Sequence, residues 1–312
     1  MRSGSGSTSN MHISVFRTSA ARTALSYLSC LRMPEIVLLQ GSPLLGLALA
    51  MHRPTAEKVG PLVLLIAANV CLVAHIFLTN DWSGLTADLA DPNKVYRVFT
   101  TRGVNRNEIG GLMVGLLALS LFLFSQLGRV PLCLALAIAF LGGVYSLPQF
   151  NWKGRPLLSS ALHLLGGALH FLLGYSVGSV IDGRGVAIAS FFALTFAAGH
   201  LTQELRDYQA DARNDIRTNA VIFGRRRTFV ASLVLFTLAY ALLFFLALRG
   251  TLPRPLAALV VLYPLHLHWS LRTLAEGLTH ASICRLQARY RAIYVIIGVA
   301  MVAVLWSARP AA

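Results

Sequence analysis

Apolar and charged positions fall in long separate blocks along this chain. Nine stretches hold no Asp, Glu, Lys or Arg: 36–52, 59–80, 109–128, 130–152, 156–181, 185–203, 228–248, 255–271 and 292–308. Each is 17 to 26 residues long, and roughly 17–25 apolar residues cross a bilayer as a helix. The pattern predicts an all-α polytopic membrane protein with nine transmembrane helices. A soluble bundle with buried core helices is the plain alternative, and nine such runs joined by short connections argue against it.

Composition sharpens this reading. Of 312 residues, 56% are hydrophobic and 12% charged, about half the charged share of a soluble domain. No linker is long enough to separate two units, so residues 35–309 are expected to form one domain. Residues 1–34 are rich in Ser, Arg and Thr and hold no acid, which predicts a flexible basic tail. With the N-terminus inside, the tail and the loops after spans two, four, six and eight carry 20 of the 27 Lys and Arg. That asymmetry places those loops on the cytoplasmic side, or the organelle equivalent. The net charge of +15 then reads as topology and attraction to anionic lipid. Basic residues spread over many loops argue against a nucleic-acid partner. Cys30, Cys71, Cys133 and Cys284 show no metal or redox spacing and read as reduced packing residues.

Two loops on that side are long and acidic, running from Asp81 to Glu108 and from Glu204 to Arg227. Long loops within a compact domain are usually functional. In the second, Asp207, Asp211 and Asp215 are spaced i, i+4, i+8, so one helix would carry all three on a face, with Glu204 upstream. Arg206 and Arg213 could balance these acids as a solvated charge ladder; a divalent cation suits the hard oxygen donors better. In the first, NDWSGLTAD, Asn80, Asp81 and Asp88 can share a face across about two turns. Lys and Arg follow both stretches, which describes a site for a diphosphate and its metal ions. A transporter would need acids deep within its spans, whereas these gather at span ends.

The pair NDWSGLTAD and RDYQADARNDIRT resembles the UbiA superfamily of intramembrane prenyltransferases, with its NDxxDxxxD stretch after span two and DxxxD stretch after span six. YSLPQFNWKGR after span four is similar to the family's YSxP…K loop, and LRMPE, with Arg32, to its opening. The resemblance implies a UbiA-like bundle and Mg²⁺-dependent transfer of an isoprenyl group from a prenyl diphosphate to an aromatic or other lipophilic acceptor in the bilayer. A terpene cyclase using the same diphosphate without an acceptor is the alternative. By matching position, Asn80, Asp81 and Asp88 would hold one Mg²⁺ and Asp207 and Asp211 another, with Asp215 or Glu204 in support. Lys94, Arg97, Lys153 and Arg217 would neutralise the diphosphate, and Tyr145 would face the reacting carbon. One departure stands out: Gly84 occupies the position of the family's middle Asp.

Other residues carry plainer expectations. His163 and His170, seven apart on span five, read as packing histidines. His200 points toward the acids, either to take a proton from an acceptor or to orient Glu204 or Asp207. Gly166, Gly167, Gly174 and Gly178 suit close helix contacts. Arg225, Arg226 and Arg227 read as a topology anchor, and Trp82, Trp152, Trp269 and Trp306 as interfacial aromatics.

Overall fold

A computed structural model describes residues 25–51 and 56–307. Helices follow the apolar blocks. A broken first helix comprises α1 (Met33–Leu39) and α2 (Gly41–Ala50). There follow α3 (Val59–Ser83), short α4 (Leu85–Leu89), α5 (Arg106–Leu127) and α6 (Arg129–Ser146). Then come α7 (Leu158–Gly178), α8 (Gly183–Arg213), short α9 (Asn219–Phe223) and α10 (Arg225–Leu248). The last two are α11 (Tyr263–Ala275) and α12 (His280–Ser307).

Among the described residues, eight helices are long and apolar enough to cross a membrane. The remaining sequence block, 255–271, is built differently. Arg254–Leu262 is a 3₁₀ helix running into α11. Pro264 explains the switch: it has no N–H to give to the carbonyl four residues back, and its ring crowds that carbonyl. Nine 3₁₀ residues at about 2.0 Å and thirteen α residues at about 1.5 Å reach roughly 37 Å, enough for a hydrocarbon layer of roughly 30 Å.

The tail expectation divides. Residues 1–24 lie outside the described ones, as do 308–312. Residues 25–30, by contrast, are helical and Arg32 is paired with Asp81, so this part of the expected tail is structured.

Glycines set the tightest contacts. A Cβ on Gly174 would lie 1.8 Å from the Pro43 carbonyl oxygen, and one on Gly46 2.2 Å from that of Phe171. Backbone therefore meets backbone where α2 crosses α7. Gly167 abuts Phe196 and Phe192 of α8, and Gly178 abuts Ala50, whereas Gly166 faces open space. Gly128, at φ +121°, makes the one-residue turn between α5 and α6 that a side chain would strain. Asn105 and Glu108 start α5 with a reciprocal capping box. Large apolar residues such as Phe122, Phe140 and Val299 point outward, as a lipid-facing belt requires. Inside, Gln40, Asn69 and His170 form a buried relay, with Asn69 donating to Gln40 at 2.9 Å and His170 Nε2 lying 2.8 Å from Asn69 Oδ1. His170 is thus the satisfied packing histidine expected.

Candidate active site

Both acidic stretches are presented by helices that outrun the bilayer. α8 has 31 residues, about 46 Å at 1.5 Å per residue, so its last turns stand clear of an apolar layer of roughly 30 Å. The same applies to α3, whose final turns carry Asn80 and Asp81. The connections after α3, α6 and α8 all lie at this end of the bundle, where they meet.

Lys94 joins the two stretches. Its Nζ lies 3.0 Å from Asp207 Oδ2 and 3.7 Å from Asp88 Oδ1. Burial works against the ammonium charge, but the carboxylates of Asp207 and Asp88 outweigh it and hold Lys94 above the ordinary lysine range. Arg206 also grips Asp207, at 2.9 and 3.3 Å. Lys153, from the loop after α6, stands 3.8 Å from Asp211 Oδ1. Asp81 is clasped by Arg32, whose Nε lies 3.2 Å from Oδ2. Burial disfavours the Arg32 charge, and the Asp81 carboxylate more than restores it. Asn80 donates to Ser146 Oγ at 3.4 Å, linking the first stretch to the Tyr145–Ser146 end of α6.

Asp88, Asp207, Asp211, Lys94 and Lys153 therefore converge, with Asn80 and Arg32-bound Asp81 alongside. Three expected residues stand apart. α8 ends at Arg213, so Asp215 does not continue the Asp207–Asp211 helical face; it is exposed, at φ +53°. Asn214, donating to the Ala210 carbonyl at 2.8 Å, closes the helix there. Arg97 and Arg217 are exposed, and the Arg97 guanidinium lies over its neighbour Tyr96.

Glu204 takes a different part from the metal support expected of it. It is buried and accepts from Asn219 Nδ2 at 2.9 Å, Ser159 Oγ at 3.3 Å and the Ala220 N–H at 3.3 Å. Asn219 gave no signal in the sequence, yet it also accepts from the Leu157 N–H at 2.7 Å. Glu204→Ala would orphan these buried donors, at about 1–3 kcal/mol. A lowered thermal midpoint in detergent, with the Mg²⁺ dependence of turnover unchanged, is the expected result.

Beside these acids stands an aromatic wall. The Tyr145 ring meets His163 edge-on at 4.9 Å, and His163 stacks on His200 with ring centroids 3.6 Å apart and planes 7° from parallel. His200 Nε2 lies 3.0 Å from Glu204 Oε1, off the line of a hydrogen bond. Packing was the first expectation for His163, with a part in catalysis the weaker one; its stacking across helices leaves no mark in sequence spacing.

The donor set suits hard divalent cations: it is all oxygen, and an ammonium bridges Asp88 and Asp207 where a cation would balance them. Among the described residues no three His, Cys or acidic groups cluster tightly enough to hold a metal ion by themselves. Mg²⁺ typically takes one or two carboxylates and completes its shell with phosphate oxygens and water, so the residues fit metal ions that arrive with a diphosphate.

Comparison with known proteins gives a consistent result. Residues 42–287 match the UbiA prenyltransferase family. A lycopene elongase/hydratase from Haloferax volcanii is 29% identical over 225 residues, covering 70% of this chain and 72% of that protein. A UbiA homologue from Archaeoglobus fulgidus, solved with DMAPP and Mg²⁺, superposes with a TM-score of 0.65 at 18% identity, over 89% of this chain and 99% of that one. A structure described for digeranylgeranylglyceryl phosphate synthase gives a TM-score of 0.68 at 17% identity, over 90% and 98% of the two chains. At these identities the solved structures establish the shared fold.

Proposed function

We propose, from the premise that this chain belongs to the UbiA prenyltransferase family, that it moves an isoprenyl group from a prenyl diphosphate to an electron-rich lipophilic acceptor. The enzyme is a membrane-embedded prenyltransferase; the donor's metal dependence, the acceptor and the residue roles are the proposal. The observation that carries it is Lys94, whose one nitrogen contacts a carboxylate from each acidic stretch. The acceptor is an aromatic ring, as the motifs imply, or a polyene, the class suggested by the name of the Haloferax relative.

Mg²⁺, when bound with the donor, would neutralise the departing diphosphate. Asn80, Asp81 and Asp88 on one side and Asp207 and Asp211 on the other would hold it, Asp81 first leaving Arg32. Lys94 and Lys153, released from their carboxylates, would turn to the diphosphate oxygens. The Tyr145 ring would offer its face to the allylic cation, while the apolar spans keep water from it. Asp215, Arg97 and Arg217, which are exposed, would act on the diphosphate from the surface at this end of the bundle.

The test is purified protein in liposomes with Mg²⁺ and labelled dimethylallyl, geranyl or geranylgeranyl diphosphate, with and without lycopene or a para-substituted phenol. Acceptor-dependent product, abolished by EDTA and restored by Mg²⁺, is expected. Hydrocarbon release without acceptor would favour the cyclase instead, and no consumption of any donor would defeat both.

Position 84 offers a further probe. A Cβ there would lie 3.5 Å from Asp88 Oδ2 and 3.1 Å from the Asn80 carbonyl oxygen, and Gly84 has φ −87°, so no special backbone demands glycine. Gly84→Asp would set a second carboxylate beside Asp88 and is expected to lower the Mg²⁺ concentration for half-maximal turnover. An unchanged titration would show that the added carboxylate turns away from the metal.

A further inference from the structure

We propose that His163 is the proton acceptor of the transfer reaction, with His200 and Glu204 as positioning residues behind it; this rests on the prenyl-transfer reading above. The tautomer follows from one contact. His163 Nδ1 lies 2.8 Å from the Ser159 backbone oxygen. A carbonyl oxygen only accepts, so Nδ1 carries the hydrogen and Nε2 keeps its lone pair. No protein donor meets Nε2 among the described residues, and the ring is half-buried rather than sealed. That lone pair belongs to the ring standing edge-on to Tyr145, the aromatic face offered to the reacting carbon.

Burial opposes a positive charge on this ring, and one nearby anion offsets part of that cost. Glu204 is a buried carboxylate whose hydrogen-bond donors, Asn219, Ser159 and the Ala220 N–H, are all neutral. A buried charge needs a compensating one. The ionisable side chain in direct contact with it is His200, which lies flat against His163 at 3.6 Å. A positive charge arriving on His163 therefore sits one imidazole thickness from an anion fixed on three sides.

The step balances. The C–O bond of the donor breaks and its electron pair leaves with the diphosphate. A π pair of the acceptor forms the new C–C bond. The C–H bond at the alkylated carbon then breaks, its pair restores the double bond or aromatic ring, and the proton goes to His163 Nε2.

The conservative test is His163→Asn, whose side-chain amide imitates the Nδ1–H toward Ser159 but has no basic lone pair. Wild type and variant in liposomes would be given dimethylallyl diphosphate and Mg²⁺ with lycopene or a para-substituted phenol, each with and without deuterium at the reacting carbon. Turnover is expected to fall about 10²–10⁴-fold, the range lost with a general base. The KM for the donor should hold, and a primary deuterium isotope effect should emerge as proton loss becomes limiting. Transfer product per diphosphate released should also fall. Wild-type-like turnover, or a loss with raised donor KM and no isotope effect, would overturn the assignment. Should His163→Asn fail to insert, His163→Gln undergoes the same measurements and is read the same way. Failure of the wild type to consume any donor would instead count against prenyl transfer itself.

Discussion

Asp211→Asn is expected to lower turnover about 10²–10³-fold, the usual cost of deleting one group that stabilises developing charge, while membrane insertion stays normal. Asp211 is 3% exposed and faces Lys153 at 3.8 Å. Asparagine keeps the volume and one oxygen but loses the anion, so under the proposed metal role the change would fall on metal binding rather than on packing. The matched measurements are turnover against Mg²⁺ concentration and a melting curve in detergent. A variant that turns over like wild type would remove Asp211 from the metal-binding set and leave Lys153 as its structural partner.

Lys94→Met should rank next, through binding of the donor. A charged hydrogen bond contributes about 1.5–3 kcal/mol, so the KM for the prenyl diphosphate should rise on the order of tenfold to a hundredfold. Lys94→Arg should recover part of it. Loss of the ammonium also leaves Asp88 and Asp207 facing each other without the cation between them, although Arg206 still holds Asp207. The sign of the pH dependence follows from the raised Lys94 pKa. Its contribution to stability is fully present below the free-lysine value of about 10.4 and is lost only as pH climbs through the higher folded value. Donor binding should accordingly show no alkaline loss from Lys94 across the neutral range. A drop in affinity there that disappears in Lys94→Met would contradict this.

Much of the fold was legible because charge-free length is a direct measure of membrane thickness, and the polar end because carboxylates mark where spans stop. What escaped were features that depend on backbone detail. The block 255–271 has the right length and apolarity, but only Pro264 hinted that its first part would be 3₁₀. The regular spacing of Asp207, Asp211 and Asp215 suggested one continuous face. Asn214 and Asp215 were the available stop signal, since both residue types accept left-handed backbone after a helix. In the site, Lys94 contacts a carboxylate from each acidic stretch, a pairing that the motifs did not specify. Asn219, by contrast, is one amide among many in the sequence, and its value comes from four contacts that only folding creates.

That carboxamide reaches Leu157 ahead of α7, Ser159 and Ser160 in its first turn, and Glu204 on α8. It thereby fixes the spacing between the strap that bears Lys153 and the rod that bears Asp211, independently of any side chain in the oily layer. Divergence that lengthens or shortens the room for a hydrocarbon chain can proceed without retuning the grip on its anionic head. Descendants of such a scaffold can change what they carry while keeping how they hold it.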